Sequence, residues 1–151
     1  MTGSEEIRQH FRILSVICVA ILSGILIFAG VVWFLRRSGE FAGGVSGSAA
    51  SLSTVLNLAA LLTLVVAHFL PRPLAATGPG APQEEVLAAH KKATIVAMAL
   101  REGAALMALV GVLLTGEFTL GMAVAGLAVV LILLGWPKRN QIAGQLPSEG
   151  P

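Results

Sequence analysis

Apolar residues fall into four long blocks, 11–35, 52–70, 93–116 and 118–136, separated by stretches rich in charge, proline, glycine or serine. Each block is near the roughly 20 residues that a membrane-spanning helix needs. The pattern predicts helices over about 11–35, 52–70, 83–116 and 118–136, with a Gly/Ser-rich loop over 38–51, a Pro/Gly/Ala linker over 71–82 and a tail over 137–151. Pro71 and Pro73 are expected to end the second helix, because their rings clash with the preceding turn and they donate no hydrogen bond. The third helix is expected to start after Pro82, with Glu84 and Glu85 against its positive dipole end, and to project before its apolar stretch begins past Lys91 and Lys92.

Gly116 and Glu117 leave almost no loop between the third and fourth blocks, so these two helices must form a tight antiparallel hairpin. Small residues recur on both: Ala104, Ala108 and Gly111 (with Thr115) on the third, and Gly121, Ala125 and Ala128 on the fourth. Such stripes let helix backbones approach closely in lipid. Ala20 and Gly24, four apart in the first helix, have the same spacing. The expected architecture is an all-α, integral membrane four-helix bundle made of two antiparallel transmembrane hairpins, forming one domain over 1–151.

Composition agrees with this class. Hydrophobic residues make up 56% of the 151 and charged residues 12%, and the mean hydropathy is +0.86, whereas soluble domains carry about 25% charge. The first block exceeds the 7–15 apolar residues of a signal-peptide core, and Arg36 and Arg37 stand where a small-residue cleavage site belongs, which predicts an uncleaved anchor. The single cysteine, Cys18, lies inside that block and is expected to pack as a small apolar residue. Seven basic residues (Arg8, Arg12, Arg72, Lys91, Lys92, Lys138, Arg139) fall on one side of a four-span arrangement and two (Arg36, Arg37) on the other. That bias predicts cytoplasmic termini and a cytoplasmic 71–82 linker. The net charge of +2 is thereby explained without a nucleic-acid partner.

Arg101 and Glu102 interrupt the third block. Moving the boundary to Gly103 would leave 14 residues to Gly116, or about 21 Å against a hydrocarbon core of about 30 Å. Nine Leu, Ile and Val residues lie between Ile95 and Leu114. They favour insertion by about 3–5 kcal/mol, against about 2.5–3.5 kcal/mol opposing it for an arginine at the centre and a comparable amount for a glutamate, so this helix needs its hairpin companion. Helical side chains tilt toward the helix N-terminus, so Arg101 can reach cytoplasmic headgroups with its stem in lipid. Glu102 is too short for that and, as a sequence neighbour, points elsewhere. By depth, Thr63, Ser23 and Asn57 are candidate polar neighbours for it.

His10, His68 and His90 fall at the expected cytoplasmic surface without close metal-ligand spacing, so neither a metal nor another cofactor is expected. The chain holds no Asp, no Tyr, no glycine-rich phosphate loop and no nucleophile paired with a base at a recognisable spacing. These absences argue against hydrolytic and phosphoryl-transfer enzymes, and no enzymatic activity is expected.

The run AMALREGAALMALVGVLLTGE in the third helix and WPKRNQIAGQL after the fourth resemble segments of a family of small uncharacterised bacterial four-helix inner-membrane proteins. The resemblance implies a multi-pass protein of the bacterial inner membrane. A hairpin with an intramembrane glutamate is also distantly similar to the proteolipid subunit c of rotary ATPases, in which Glu102 would match the carboxylate that carries the proton or sodium ion. The expected function is a structural, accessory or self-associating membrane subunit, with the lipid bilayer and a second copy or another membrane subunit as partners. The alternative is an ion- or proton-translocating subunit that uses Glu102.

Overall fold

The computed structural model describes residues 3–39, 49–78 and 81–136. The tail over 137–151 and residues 40–48 of the Gly/Ser loop lie outside the described residues. The elements are α1 (Gly3–Ser38), α2 (Ala49–Phe69), the short α3 (Pro71–Ala75), α4 (Gln83–Thr115) and α5 (Phe118–Leu134). Among the described residues there is no strand. Three helical segments, Phe11–Ser38, Ser51–Ala75 and Glu84–Thr115, are long and apolar enough to cross a membrane. α5 is apolar throughout but has 17 residues, about 26 Å at 1.5 Å per residue.

Two boundaries differ from expectation. α1 begins at Gly3 instead of near residue 11, because the polar stretch before Phe11 contains no helix breaker. The linker opens with a helix instead of a coil: Leu70 keeps helical dihedrals (φ −59°, ψ −35°) and donates to the Val66 carbonyl at 2.9 Å, and α3 resumes at Pro71. Proline at a first helical position removes only a donor that would be unpaired there. The junction also keeps the phase of the helix. The inward positions Ser53, Asn57, Ala60, Leu64 and Ala67 alternate in steps of four and three, and half-buried Pro71 and Leu74 continue the series.

Contacts fix the direction of each helix. Cys18 meets Met98 and Arg36 meets Gly116, each 80 residues apart, so α1 and α4 run parallel. Leu56 lies against Gly111 and Gly121 against Ala108, while His68 and Arg72 lie near Ala97 and His90. α2 and α5 are therefore antiparallel to α4. Every other helix packs on α4. α1 and α2, expected as the second hairpin, share no extended interface and lean separately on α4. The expectation of two paired hairpins is corrected on this point: α4 carries buried residues on a broad face, whereas α1 has a single narrow seam.

That seam is Phe11, Leu14, Cys18, Ile25 and Val32, with Ile21 and Phe28 half-buried between them. Its three-four spacing is the repeat of left-handed, nearly aligned helix packing. Ala20 and Gly24 lie off it and are exposed. The other stripe residues, Ala104, Ala108, Gly111, Gly121, Ala125 and Ala128, are all buried, but they do not form one interface. Gly111 faces Leu56 of α2 and not α5, because α4 turns different small residues to different neighbours.

The hairpin turn is built from backbone and one arginine. Gly116 adopts φ 73°, a left-handed conformation suited to glycine, and its N–H returns to the Val112 carbonyl. Arg36 Nη1 donates to the Gly116 carbonyl at 2.6 Å. The same guanidinium lies 4.8 Å from the Phe118 ring centroid, and the Trp33 ring meets that ring at a tilt of 55° with centroids 5.5 Å apart. A cation is favoured at this place, where the carbonyls of α4 end unpaired.

A Cβ at Gly121 would overlap Val112 Cγ2 and come within 2.9 Å of the Ala108 carbonyl oxygen. At Gly111 the added atom would make ordinary contacts of 3.6 Å with Leu56. Gly121→Ala should therefore destabilise the protein by about 1–3 kcal/mol through overpacking, and Gly111→Ala should be near neutral. Thermal unfolding of the two variants in the same detergent measures the contrast. Equal stability would mean that α4 and α5 do not approach closely at Gly121.

Candidate functional site

Neighbours in sequence, Arg101 and Glu102 part to opposite sides of α4. Arg101 turns toward α5, and its guanidinium lies where a Cβ on Gly135 would stand. With Gly121 against Ala108 and Val112, the antiparallel register sets Gly135 about five residues nearer the N-terminus of α4 than Arg101 itself, at 1.5 Å per residue in both helices. The side chain thus reaches back along α4, in the direction in which helical Cα–Cβ bonds tilt. Arg101 Nε is buried and has no hydrogen-bond partner among the described residues.

Glu102 turns toward α1. Its Oε1 would lie 3.8 Å from a Cβ on Gly24, which stands at the middle of the apolar segment of α1. The residue is half-buried. Any side chain larger than a methyl group at Gly24 would compete with the carboxylate for this groove. The polar groups expected near it are used elsewhere: Thr63 Oγ1 donates to the Ala59 carbonyl at 2.8 Å, and Asn57 Nδ2 donates to the Ser53 carbonyl at 2.9 Å and to Ser53 Oγ at 3.3 Å. Ser23 is exposed beside Gly24. Asn57 Oδ1 is buried without a partner. Short polar side chains in a helix reach their own preceding turn more readily than another helix.

Cys18 is fully buried, and its Sγ donates to Met98 Sδ at 3.0 Å across the α1–α4 seam. Of the histidines, His68 and His90 approach one cavity, while the side chain of His10 lies outside the described residues. No group of three or more His, Cys, Asp or Glu residues converges among the described residues.

The linear order of residues does not suggest that cavity. It has a volume of about 680 Å³ and lies past the end of α5, bounded by α2, α3 and α4. α5 ends at Leu134, whereas α4 continues toward Gln83 and packs on α3 there. The space between is a notch into which His68, Arg72, His90 and Arg101 face. A sequence signal for it exists only in hindsight: basic residues cluster in the segments that overhang the end of the fourth apolar block.

Comparison with protein-family models, curated proteins and solved structures finds no match. The functional reading therefore rests on these side chains. Two sites are available, a solitary carboxyl in the α1–α4 groove and a basic notch past α5. Gly24→Leu should fill the groove and markedly slow the labelling of Glu102 by dicyclohexylcarbodiimide, which attacks protonated carboxyls in apolar surroundings. Gly24→Ala should leave labelling unchanged, since its Cβ makes only an ordinary contact. Equal labelling of all three proteins would mean that the carboxyl does not use this groove.

Proposed function

We propose that the chain is a multi-pass protein of the bacterial inner membrane with four spanning helices, a structural or accessory subunit whose Glu102 groove is completed by a second copy or another membrane subunit. The observation that carries this reading is the state of Glu102. It is half-buried at the middle of an apolar segment and, among the described residues, makes no hydrogen bond or ion pair. A carboxyl at that depth requires a polar neighbour, and association supplies one.

The alternation of helix directions supports four crossings, because a chain that crosses four times must have its first and third helices parallel. α5, with 17 residues, is at the short end of the workable range of about 17–25. Both termini are then cytoplasmic by the bias of basic residues. Arg36, which opposes that bias, has a separate reason to be where it is: it binds the carbonyl at the end of α4. A reporter active only in the periplasm, fused at the C-terminus, should be silent, and one inserted near Gly44 should be active. The reverse result refutes this orientation.

Association is tested at Glu102 itself. Glu102→Gln keeps a hydrogen-bonding group and should preserve the assembly seen on native gels, whereas Glu102→Leu should weaken it by about 1–2 kcal/mol. An unchanged assembly with Glu102→Leu refutes the reading. The same solitary carboxyl also favours a second one, an ion-translocating subunit with Glu102 as the carrier. In that case Glu102→Gln abolishes sodium- or proton-dependent transport in vesicles with assembly intact.

A further inference from the structure

We propose that the notch past the end of α5 binds the phosphate group of an anionic ligand, with the headgroup of an acidic phospholipid as its source in the bilayer. Four nitrogen-bearing side chains from three elements face the same space: His68 of α2, Arg72 of α3, and His90 and Arg101 of α4. No carboxylate lines it among the described residues. A site with two guanidinium groups and no acid repels metal cations and attracts oxyanions, and the planar fork of arginine matches phosphate oxygens.

Both arginines are held in place while retaining donors. The guanidinium of Arg101 packs against Gly135 at the C-terminal end of α5, where terminal carbonyls favour a cation. Its buried Nε has no partner among the described residues. Arg72 lies 5.5 Å from the Phe69 ring centroid. Contact with a ring face leaves the in-plane N–H groups able to donate.

The position of the notch selects the source of the phosphate. α5 is apolar to its last turn, and the notch begins where it ends. In a bilayer that is the depth at which apolar chain gives way to headgroups, and basic pockets between spanning helices on the cytoplasmic side bind anionic headgroups. The volume of about 680 Å³ accommodates a glycerophosphate group, and the opening past α5 leaves its acyl chains a path along the apolar surface of that helix.

The lipid source rests on the membrane reading above, but the oxyanion chemistry does not. The test is native mass spectrometry of the full-length protein in detergent, titrated separately with phosphatidylglycerol, phosphatidylcholine and inorganic phosphate. Phosphatidylglycerol should bind in preference to phosphatidylcholine. Arg101→Gln and Arg72→Gln should each weaken it about fivefold, as expected for about 1 kcal/mol per arginine near a headgroup. Lys92→Gln, at an exposed position outside the notch, serves as the control and should have no effect. Because Arg72 is exposed, its variant keeps the test open should Arg101→Gln fail to fold. Gly135→Ala should also weaken binding, by displacing the Arg101 guanidinium without removing its charge. Binding of inorganic phosphate alone, lost in the arginine variants, would support the oxyanion site and replace its lipid source with a soluble one. Binding that does not distinguish the two lipids, or that is unaffected by both arginine variants, overturns the proposal.

Discussion

Among the described residues, the most extensive helix packing depends on how closely α4 can be approached. Lipid tails are as apolar as leucine, so helices inside a bilayer gain little from hiding apolar surface, and close packing holds them together instead. α4 meets that requirement with Ala104, Ala105, Ala108 and Gly111 buried along its length. Gly121 brings the α5 backbone nearly onto the Ala108 carbonyl, and Leu56 of α2 fits over Gly111. With the remaining helices packed on α4, a large residue in place of any one of these small residues would loosen the interface with the neighbour that it meets.

A difference in helix length governs what happens at one end. α5 stops while α4 continues, and the difference opens the notch that Arg101 faces. The charged pair in α4 is thereby divided. The long arginine reaches the end of the neighbouring helix, and the short glutamate stays at mid-depth in the groove beside Gly24. Side-chain length decides the division: a guanidinium on a three-carbon stem can travel more than a helical turn along its own helix, and a carboxylate cannot.

At the other end the same physics holds a cation in place. The carbonyls at the end of α4 carry partial negative charge, and Arg36 from α1 binds one of them while lying against Phe118. In the helix interiors, hydroxyl and amide groups remain local. Thr63, Asn57 and Thr115 each donate to the carbonyl four residues back, which satisfies those donors without linking helices, whereas the Cys18 thiol donates to Met98 across the α1–α4 seam.

The four apolar blocks, the tight Gly116–Glu117 turn and the small residues buried on α4 and α5 were legible in the sequence, because they depend on local composition and on a loop too short to allow another arrangement. The separate directions of Arg101 and Glu102 were legible too, since adjacent helical residues do not share a face. Which helix each small residue meets was not: Gly111 faces α2 and Gly121 faces α4, a difference that the stripe cannot express. In α1 nearly every position of the span is apolar, with only Arg12, Ser15 and Ser23 polar between Phe11 and Val32, so the seam has little polar background against which to be read, and Ala20 and Gly24 seemed equally suited to packing. The continuation of α2 through Pro71 depended on Leu70 keeping helical dihedrals beside α4, against its local preference before a proline. The notch required the register of three helices together, because His68 and Arg72 come from one stretch of chain and His90 and Arg101 from another, and the two meet where α5 ends short of its neighbours.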